Sequence, residues 1–381
     1  MKKLDNDIWI AGIARGHNSS VCLLKNGKIV FSIEEERLSR NKYDGGPFAA
    51  MMKILEYTDR LNYLAIAHTQ TLVDTAGRVD FSGEDIYTGL ARKLGLISRT
   101  ENPYQHPQVI DLSHIHHKLH AACAFYRSGF SEAAALIVDG AGTFIPLNCE
   151  GAQMTGWETE SIYDCTNPAW FKTIYKHIGT REVIRGIRIE DFNSELYGEI
   201  NQTHECIIDD RAGITKVYEA VTRYCGWQPI EAGKTMGLFP YGKPNDKIPS
   251  LFEETGVGTL TNRNIVLPTY PNGAVINDQI YTSLKDGEQE DDVTLLENRR
   301  DLAYACQTQT QEQVLKLIKK AVRDTGHKNV VLSGGYALNC VANYYYLTEL
   351  REEGINLYVE PISNDAGTAI GAALFLSLIH I

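Results

Sequence analysis

His116 and His120 lie four residues apart in the run Ile115-His-His-Lys-Leu-His-Ala121. On a helix this spacing puts both imidazoles on one face, near enough to ligate one metal ion, whereas His114 and His117 point elsewhere. Asp139 and Asp365 are candidate partners, because each ends a strand and precedes small residues, Gly-Ala-Gly and Ala-Gly. Strand C-termini in α/β sheets converge on one crevice. Two histidines with two aspartates leave positions open for water or a phosphate oxygen. Such mixed nitrogen and oxygen ligation suits iron, manganese or zinc and does not choose among them.

Glycine turns supply a second chemistry. Gly12 with Gly16, Gly140 with Gly142, and Gly334 with Gly335 each sit just beyond an apolar strand. Glycine there lets backbone N–H groups approach phosphate oxygens without interference from a Cβ. Three such turns in the same context point to a nucleotide cleft between two lobes. Neither GxxxxGK[ST] nor GxGxxG is present, which speaks against P-loop and Rossmann folds. In Glu231-Ala-Gly-Lys-Thr-Met-Gly-Leu-Phe-Pro-Tyr-Gly242, Lys234 could meet an anionic substrate as a mobile charge. His17 and Asn18, at the tip of the first turn, could position or deprotonate an acceptor, although Asn also suits turns for its own sake. Arg37, Arg40 and Lys42 form a basic cluster that would meet a phosphate or only solvent.

These residues must be held by strands and helices in alternation. Ile8–Ala14, Val21–Leu24 and Ile29–Ile33 read as strands, the last two joined by an Asn-Gly hairpin turn. Residues 111–128 read as a helix with His116, His120 and Ala124 along one face. Ala133–Asp139 opens a second strand–turn–strand pattern, so the same device occurs at 8–33 and at 133–163. Residues 165–300 read as aromatic and irregular, and the acidic patch Asp286–Asp292 as a solvated loop. Residues 293–325 predict a long helix capped by Gly326. The strand Asn329–Ser333, a helix at 336–353, the strand Leu357–Glu360 and a final helix from Ala366 to Phe375 complete an α/β architecture.

The chain has 381 residues and a formal charge of −11, with 43% apolar and 22% charged residues. That is globular composition and excludes a disordered chain, a collagen-like repeat and a coiled coil. The acidic balance speaks against nucleic acid held by net charge, though a nucleotide acceptor survives that objection. No run approaches the roughly 20 apolar residues of a membrane span. The early apolar stretch is short and follows Asp5 and Asp7, so no signal peptide and a cytoplasmic location are expected. The eight cysteines are scattered without a CxxC pair and read as buried thiols. Residues 376–381, Leu-Ser-Leu-Ile-His-Ile, match the translation of a transposase adapter used in short-read sequencing and are expected to be an assembly scar.

Taken together, Gly16-His-Asn-Ser-Ser20, Glu34-Glu-Glu-Arg-Leu-Ser-Arg40, His116-His-Lys-Leu-His-Ala121, Val138-Asp-Gly-Ala-Gly142, Gly233–Gly242, Ser333-Gly-Gly-Tyr-Ala-Leu-Asn339 and Asn364-Asp-Ala-Gly367 resemble the signatures of the NodU/CmcH O-carbamoyltransferases. The resemblance runs from residue 8 to about 375. It implies an α/β, actin-like ATPase (ASKHA) fold, related to the tRNA threonylcarbamoyl transferases, with a nucleotide and metal cleft between two lobes. In such enzymes carbamoyl phosphate and ATP, with its Mg, give carbamoyl-adenylate in a YrdC-like domain. The actin-like domain then passes the carbamoyl group to an acceptor hydroxyl. By motif, His116, His120, Asp139 and Asp365 would hold the divalent metal against the adenylate phosphate. Gly140, Gly142, Gly334, Gly335 and Asn339 would surround the nucleotide, Lys234 would lie beside it, and His17 would sit close to the transferred group.

Two departures matter. Asn18 stands where many members carry Asp, and an amide cannot take up a proton at neutral pH, which speaks against a base role there. The YrdC-like domain usually follows the Asp-Ala-Gly helix, and this chain stops there. The expected organisation is a lobe at about 1–132, a second at about 133–375 with an insertion at about 165–300, and no YrdC-like domain in cis. Such a chain is not expected to make carbamoyl-adenylate by itself. Sugars, antibiotic scaffolds, lipo-oligosaccharides and hydroxymethylated nucleotides are all eligible acceptors. The rival readings are an actin-fold sugar kinase or ATPase, and a nucleotide-binding module without turnover.

Overall fold

A computed structural model describes residues 6–69, 86–99, 106–149, 152–181, 203–253, 264–269, 273–282 and 292–380. The first sheet is built from β1 (Trp9–Ala14), β2 (Ser20–Lys25), β3 (Lys28–Glu34), β4 (Tyr63–Ala67) and β5 (Val109–Asp111), in the order β3-β2-β1-β4-β5. The β2–β3 turn is the expected Asn-Gly hairpin, with Asn26 and Gly27 both at positive φ, the backbone twist that two-residue hairpins need. The second sheet holds β6 (Glu132–Val138), β7 (Phe144–Cys149), β8 (Ala152–Thr166), β9 (Trp170–Thr180), β10 (Glu205–Asp209), β13 (Asn329–Ser333) and β14 (Asn356–Val359). Its order is β10-β9-β8-β6-β13-β14, with β7 paired to β8, while β11 (Val266–Thr269) and β12 (Gly273–Ile276) form a separate hairpin.

The two sheets repeat one plan. β3, β2 and β1 run antiparallel to their neighbours, and β4 and β5 then continue parallel to β1. β9, β8 and β6 do the same, followed in parallel by β13 and β14. The repeat legible at 8–33 and 133–163 is therefore a duplication of the whole sheet core. The stretch 165–300 is less irregular than its composition suggests, because β9 and β10 belong to the second sheet. The patch at 286–291 lies outside the described residues.

The helices are α1 (Glu35–Ser39), α2 (Phe48–Lys53), α3 (Ile86–Lys93), α4 (His116–Ser128), α5 (Ile214–Tyr224), α6 (Ala232–Leu238), α7 (Asp292–Thr325), α8 (Cys340–Arg351) and α9 (Ala366–His380). The predicted helix at 111–128 starts five residues late, because residues 109–111 are strand and 113–115 a single 3-10 turn.

Two helices exchange partners. α4 follows the first sheet yet packs on β6 and β13 of the second. α9 follows the second sheet yet packs on β1, β2 and β4 of the first. Each buries a small-residue face: Ala121, Ala124 and Phe125 meet Ala133, Ala135 and Ile137, while Ala369, Ile370 and Ala373 meet Ile10, Cys22 and Ala65. The helices also cross each other closely, for a Cβ at Gly371 would overlap the Leu119 carbonyl oxygen. α9 extends past Phe375, and Leu376 is buried in the same core. The other face of the first sheet packs on α2, the 3-10 turn after it and α3 through Met51, Ile54 and Tyr87. The second sheet is covered by α5 and α7 through Val217, Val221, Leu302 and Ile318. Cys22, Cys123, Cys165, Cys225 and Cys306 are buried free thiols, Cys206 is a half-buried one and Cys340 an exposed one.

Candidate metal centre and nucleotide cleft

Where α4 and α9 cross, their N-terminal ends meet the end of β6. His116 and His120 come from α4 and Asp139 directly follows β6, whereas Asp365, expected at a strand end, lies six residues past the end of β14, in the turn that leads straight into α9. One ligand atom from each of the four lies within 4.8 Å of all the others. The two Nε2 atoms are 3.2 Å apart. His116 Nε2 is 3.7 Å from Asp139 Oδ2 and 3.6 Å from Asp365 Oδ1; His120 Nε2 is 4.0 and 3.7 Å from the same oxygens. Ligands about 2.1 Å from a common ion would stand about 3.4 Å apart in a tetrahedron and about 3.0 Å apart at adjacent octahedral corners. The observed edges fit a shared ion after small adjustments.

Electrostatics agree with that fit. Burial by itself would depress the His116 pKa, but hydrogen bonding to Asp139 and Asp365 and their charges outweigh it and raise it to about 10. Burial would raise both aspartates, yet His116 holds Asp139 and Asp365 below the usual carboxylate range. The pair of carboxylates that retains a proton on a buried imidazole would equally retain a cation. Asp139 is aimed by the Gly335 N–H, which donates to its Oδ1 at 2.9 Å. Gly16 lies over Asp365, where a Cβ would come within 3.2 Å of Oδ2.

A cavity of about 700 Å³ opens from Asp139 and Asp365. Its first-lobe wall includes Arg15, Gly16, His17, Asn18, Tyr43 and His68. The second-lobe wall includes Gly140, Lys216, Glu219, Gly233, Gly335 and Asn339. His17 is exposed on the cleft wall, while Asn18 is buried and bonded to Glu34. Asn339 caps α8, accepting from the Ala342 N–H at 3.0 Å, and donates to Gln307 at 2.9 Å.

Other expected residues lie elsewhere. Gly142 packs beneath the centre against His117, and Gly334, at φ 92°, lets its turn approach the Val138 backbone where a Cβ would overlap. Both make room for protein rather than line the cavity. Lys234 is half exposed and pairs with Glu231 at 2.6 Å, outside the lining residues. Arg37, Arg40 and Lys42 do not line it either. The lysine in the cleft is Lys216 on α5, buried and paired with Glu219 at 2.9 Å. No motif marks it; its only sequence signal is an i, i+3 charge pair on an otherwise amphipathic helix.

A two-lobed α/β fold with a cleft at crossing helices is the actin-like ATPase architecture. HypF of T. kodakarensis shares it with a TM-score of 0.50 at 13% identity, over 98% of this chain and 48% of that one. The sequence profile described as carbamoyltransferase N-terminus matches residues 84–374, and the chain belongs to that family. It is 28% identical to the uncharacterized protein sll1178 of Synechocystis, over 94% of this chain and 55% of that protein. It is 25% identical to the nodulation protein NolNO of Sinorhizobium fredii, over 95% of this chain and 46% of the relative. The chain thus spans about half the length of these curated relatives. Among the described residues, no helix is long and apolar enough to cross a membrane.

Proposed function

We propose that this chain is the acceptor-side domain of an O-carbamoyltransferase, moving a carbamoyl group from carbamoyl-adenylate, made from carbamoyl phosphate and ATP, to a hydroxyl. The observation that carries the reading is the four-residue centre at the head of a nucleotide-sized cleft, in a chain of the carbamoyltransferase family. His116, His120, Asp139 and Asp365 would hold a divalent ion, iron, manganese or zinc. Bound there, it supplies charge stabilisation to the phosphate of the departing AMP.

The chain's own residues would do the rest. Gly140 gives the adenylate phosphate a close approach to backbone, and Gly335 keeps Asp139 oriented. Lys216 takes the place expected for Lys234, as a buried ammonium facing an anionic ligand. The acceptor oxygen bonds to the carbamoyl carbon while the bond from that carbon to the phosphate oxygen breaks. AMP leaves, and the acceptor proton passes to an imidazole nitrogen of His17, which stands on the opposite lip of the cleft beside Asp365. Asn18, bonded to Glu34, fixes the turn that presents His17 and does not act as a base. Buried walls shelter the electrophile from water and hold the acceptor in line.

The test has two readouts. Metal analysis should find about one divalent ion per chain and its loss in His116→Ala. Synthetic carbamoyl-adenylate offered with a panel of sugars and nucleosides should yield AMP and a carbamoylated hydroxyl. Unchanged metal content in His116→Ala, or phosphorylated acceptor and ADP from ATP, would overturn the assignment in favour of an actin-fold kinase.

A further inference from the structure

The helix that carries both candidate metal histidines has no capping side chain of its own. Its N-cap position is Ile115, which offers no acceptor, although the first-turn N–H groups of any helix need one. The missing acceptor comes from a distant part of the chain. The His116 N–H donates to Thr143 Oγ1 at 3.2 Å, and the same hydroxyl donates its proton to the Ser113 carbonyl at 2.9 Å. Thr143 is buried and sits four residues after Asp139, at the far end of the Asp-Gly-Ala-Gly-Thr turn. One turn therefore carries a metal-site carboxylate at its head and the cap of the histidine helix at its tail.

That turn is itself tied down. The Thr143 N–H donates to Glu158 Oε2 at 3.0 Å, the Gly142 N–H donates to the Glu158 carbonyl at 2.9 Å, and the Glu158 N–H returns to the Thr143 carbonyl at 3.2 Å. Glu158 is buried and ion-paired with buried Lys176, whose ammonium also donates to Tyr163 OH at 3.0 Å. A run of contacts thus leads from β9 through β8 to the first residue of α4.

We propose that Thr143, anchored by the Glu158–Lys176 pair, is a positioning residue that sets the register of His116 and His120 against Asp139, and thereby the affinity of the centre for its ion. This rests on reading the four-residue cluster as a metal site. The Thr143 hydroxyl acts through the helix backbone, at the His116 N–H. Supporting residues around metal sites commonly tune affinity about tenfold to a hundredfold.

The experiment compares Thr143→Val, which keeps the shape and removes the hydroxyl, with Thr143→Ser, which restores it. Zinc and manganese dissociation constants are measured on the whole chain by competition against a chromophoric chelator, alongside the thermal midpoint of the metal-depleted protein. Thr143→Val should weaken binding about tenfold or more, and Thr143→Ser should return it to within about threefold of the parent. A Thr143→Val chain that loses apo stability but binds both ions as tightly as the parent would overturn the proposal while leaving the metal reading intact. A parent chain that binds neither ion would overturn both. Should Thr143→Val fail to fold, Thr143→Ala against Thr143→Ser makes the same comparison.

Discussion

Lys176 lies in the middle of β9 at 1% exposure, paired with Glu158 at 3%. Burial alone would push the Glu158 carboxyl up, but the Lys176 charge outweighs it and holds the group down to about 2. Burial would likewise depress the Lys176 ammonium, and Glu158 instead keeps it above the ordinary lysine range. Replacing Lys176 with Met preserves the aliphatic stem and removes the charge. Losing one partner of a buried pair costs about 3–5 kcal/mol. The fall of Glu158 from its ordinary 4.5 to about 2 corresponds to about 3 kcal/mol at neutral pH, which agrees with the lower end of that range.

The pH dependence has a definite sign. In the parent chain Glu158 is depressed, so its contribution is complete above the unfolded carboxyl pKa and is lost as pH falls from about 4.5 through about 2. In Lys176→Met the carboxyl is buried without that countercharge, its pKa rises above the unfolded value, and lower pH favours the folded variant. The gap between parent and variant is therefore widest near pH 8 and narrows toward about pH 5. Urea unfolding followed by tryptophan fluorescence at those two pH values measures it. The double variant Glu158→Gln with Lys176→Met should recover most of the loss, because no unpaired charge remains. A single variant within about 1 kcal/mol of the parent at both pH values would refute the reasoning, since it would mean that water reaches the pair.

Gly371→Ala should push α9 off α4, because the new Cβ overlaps the Leu119 carbonyl. The expected cost is about 1–3 kcal/mol in urea unfolding, together with weaker metal binding, since His120 follows Leu119 directly. Lys216→Met should weaken AMP binding about tenfold while Lys234→Met leaves it unchanged, as read by calorimetry. Equal effects would place the cleft lysine wrongly.

Local patterns carried much of the fold. The α7 helix follows from its 3.6-residue apolar period, and the β2–β3 hairpin from Asn26-Gly27, because both signals lie within one element. The i, i+4 histidines and the two aspartates before small residues were legible for the same reason, and they do come together, although only Asp139 stands at a strand end. Lys216, Gly142 and Gly334 were not legible in the same way. Whether a lysine enters a cleft, or a glycine faces a ligand rather than a neighbouring backbone, depends on segments far away in sequence. The middle stretch looked irregular because β9 and β10 are strands whose partners, not their own composition, identify them.

The sequence by itself determined the element types outside the middle stretch, the repeated strand–turn–strand device, the shared face of His116 and His120, and the family to which the chain belongs. Only the tertiary structure decided that α4 and α9 exchange sheets and cross, that Thr143 caps a helix it does not belong to, and that Lys216 rather than Lys234 faces the cavity. The physical reason is range. Periodicity and turn chemistry act over a few residues, whereas a ligand set, a cap supplied from another strand and a charge buried in a cleft are settled by packing between segments that meet only in the folded chain.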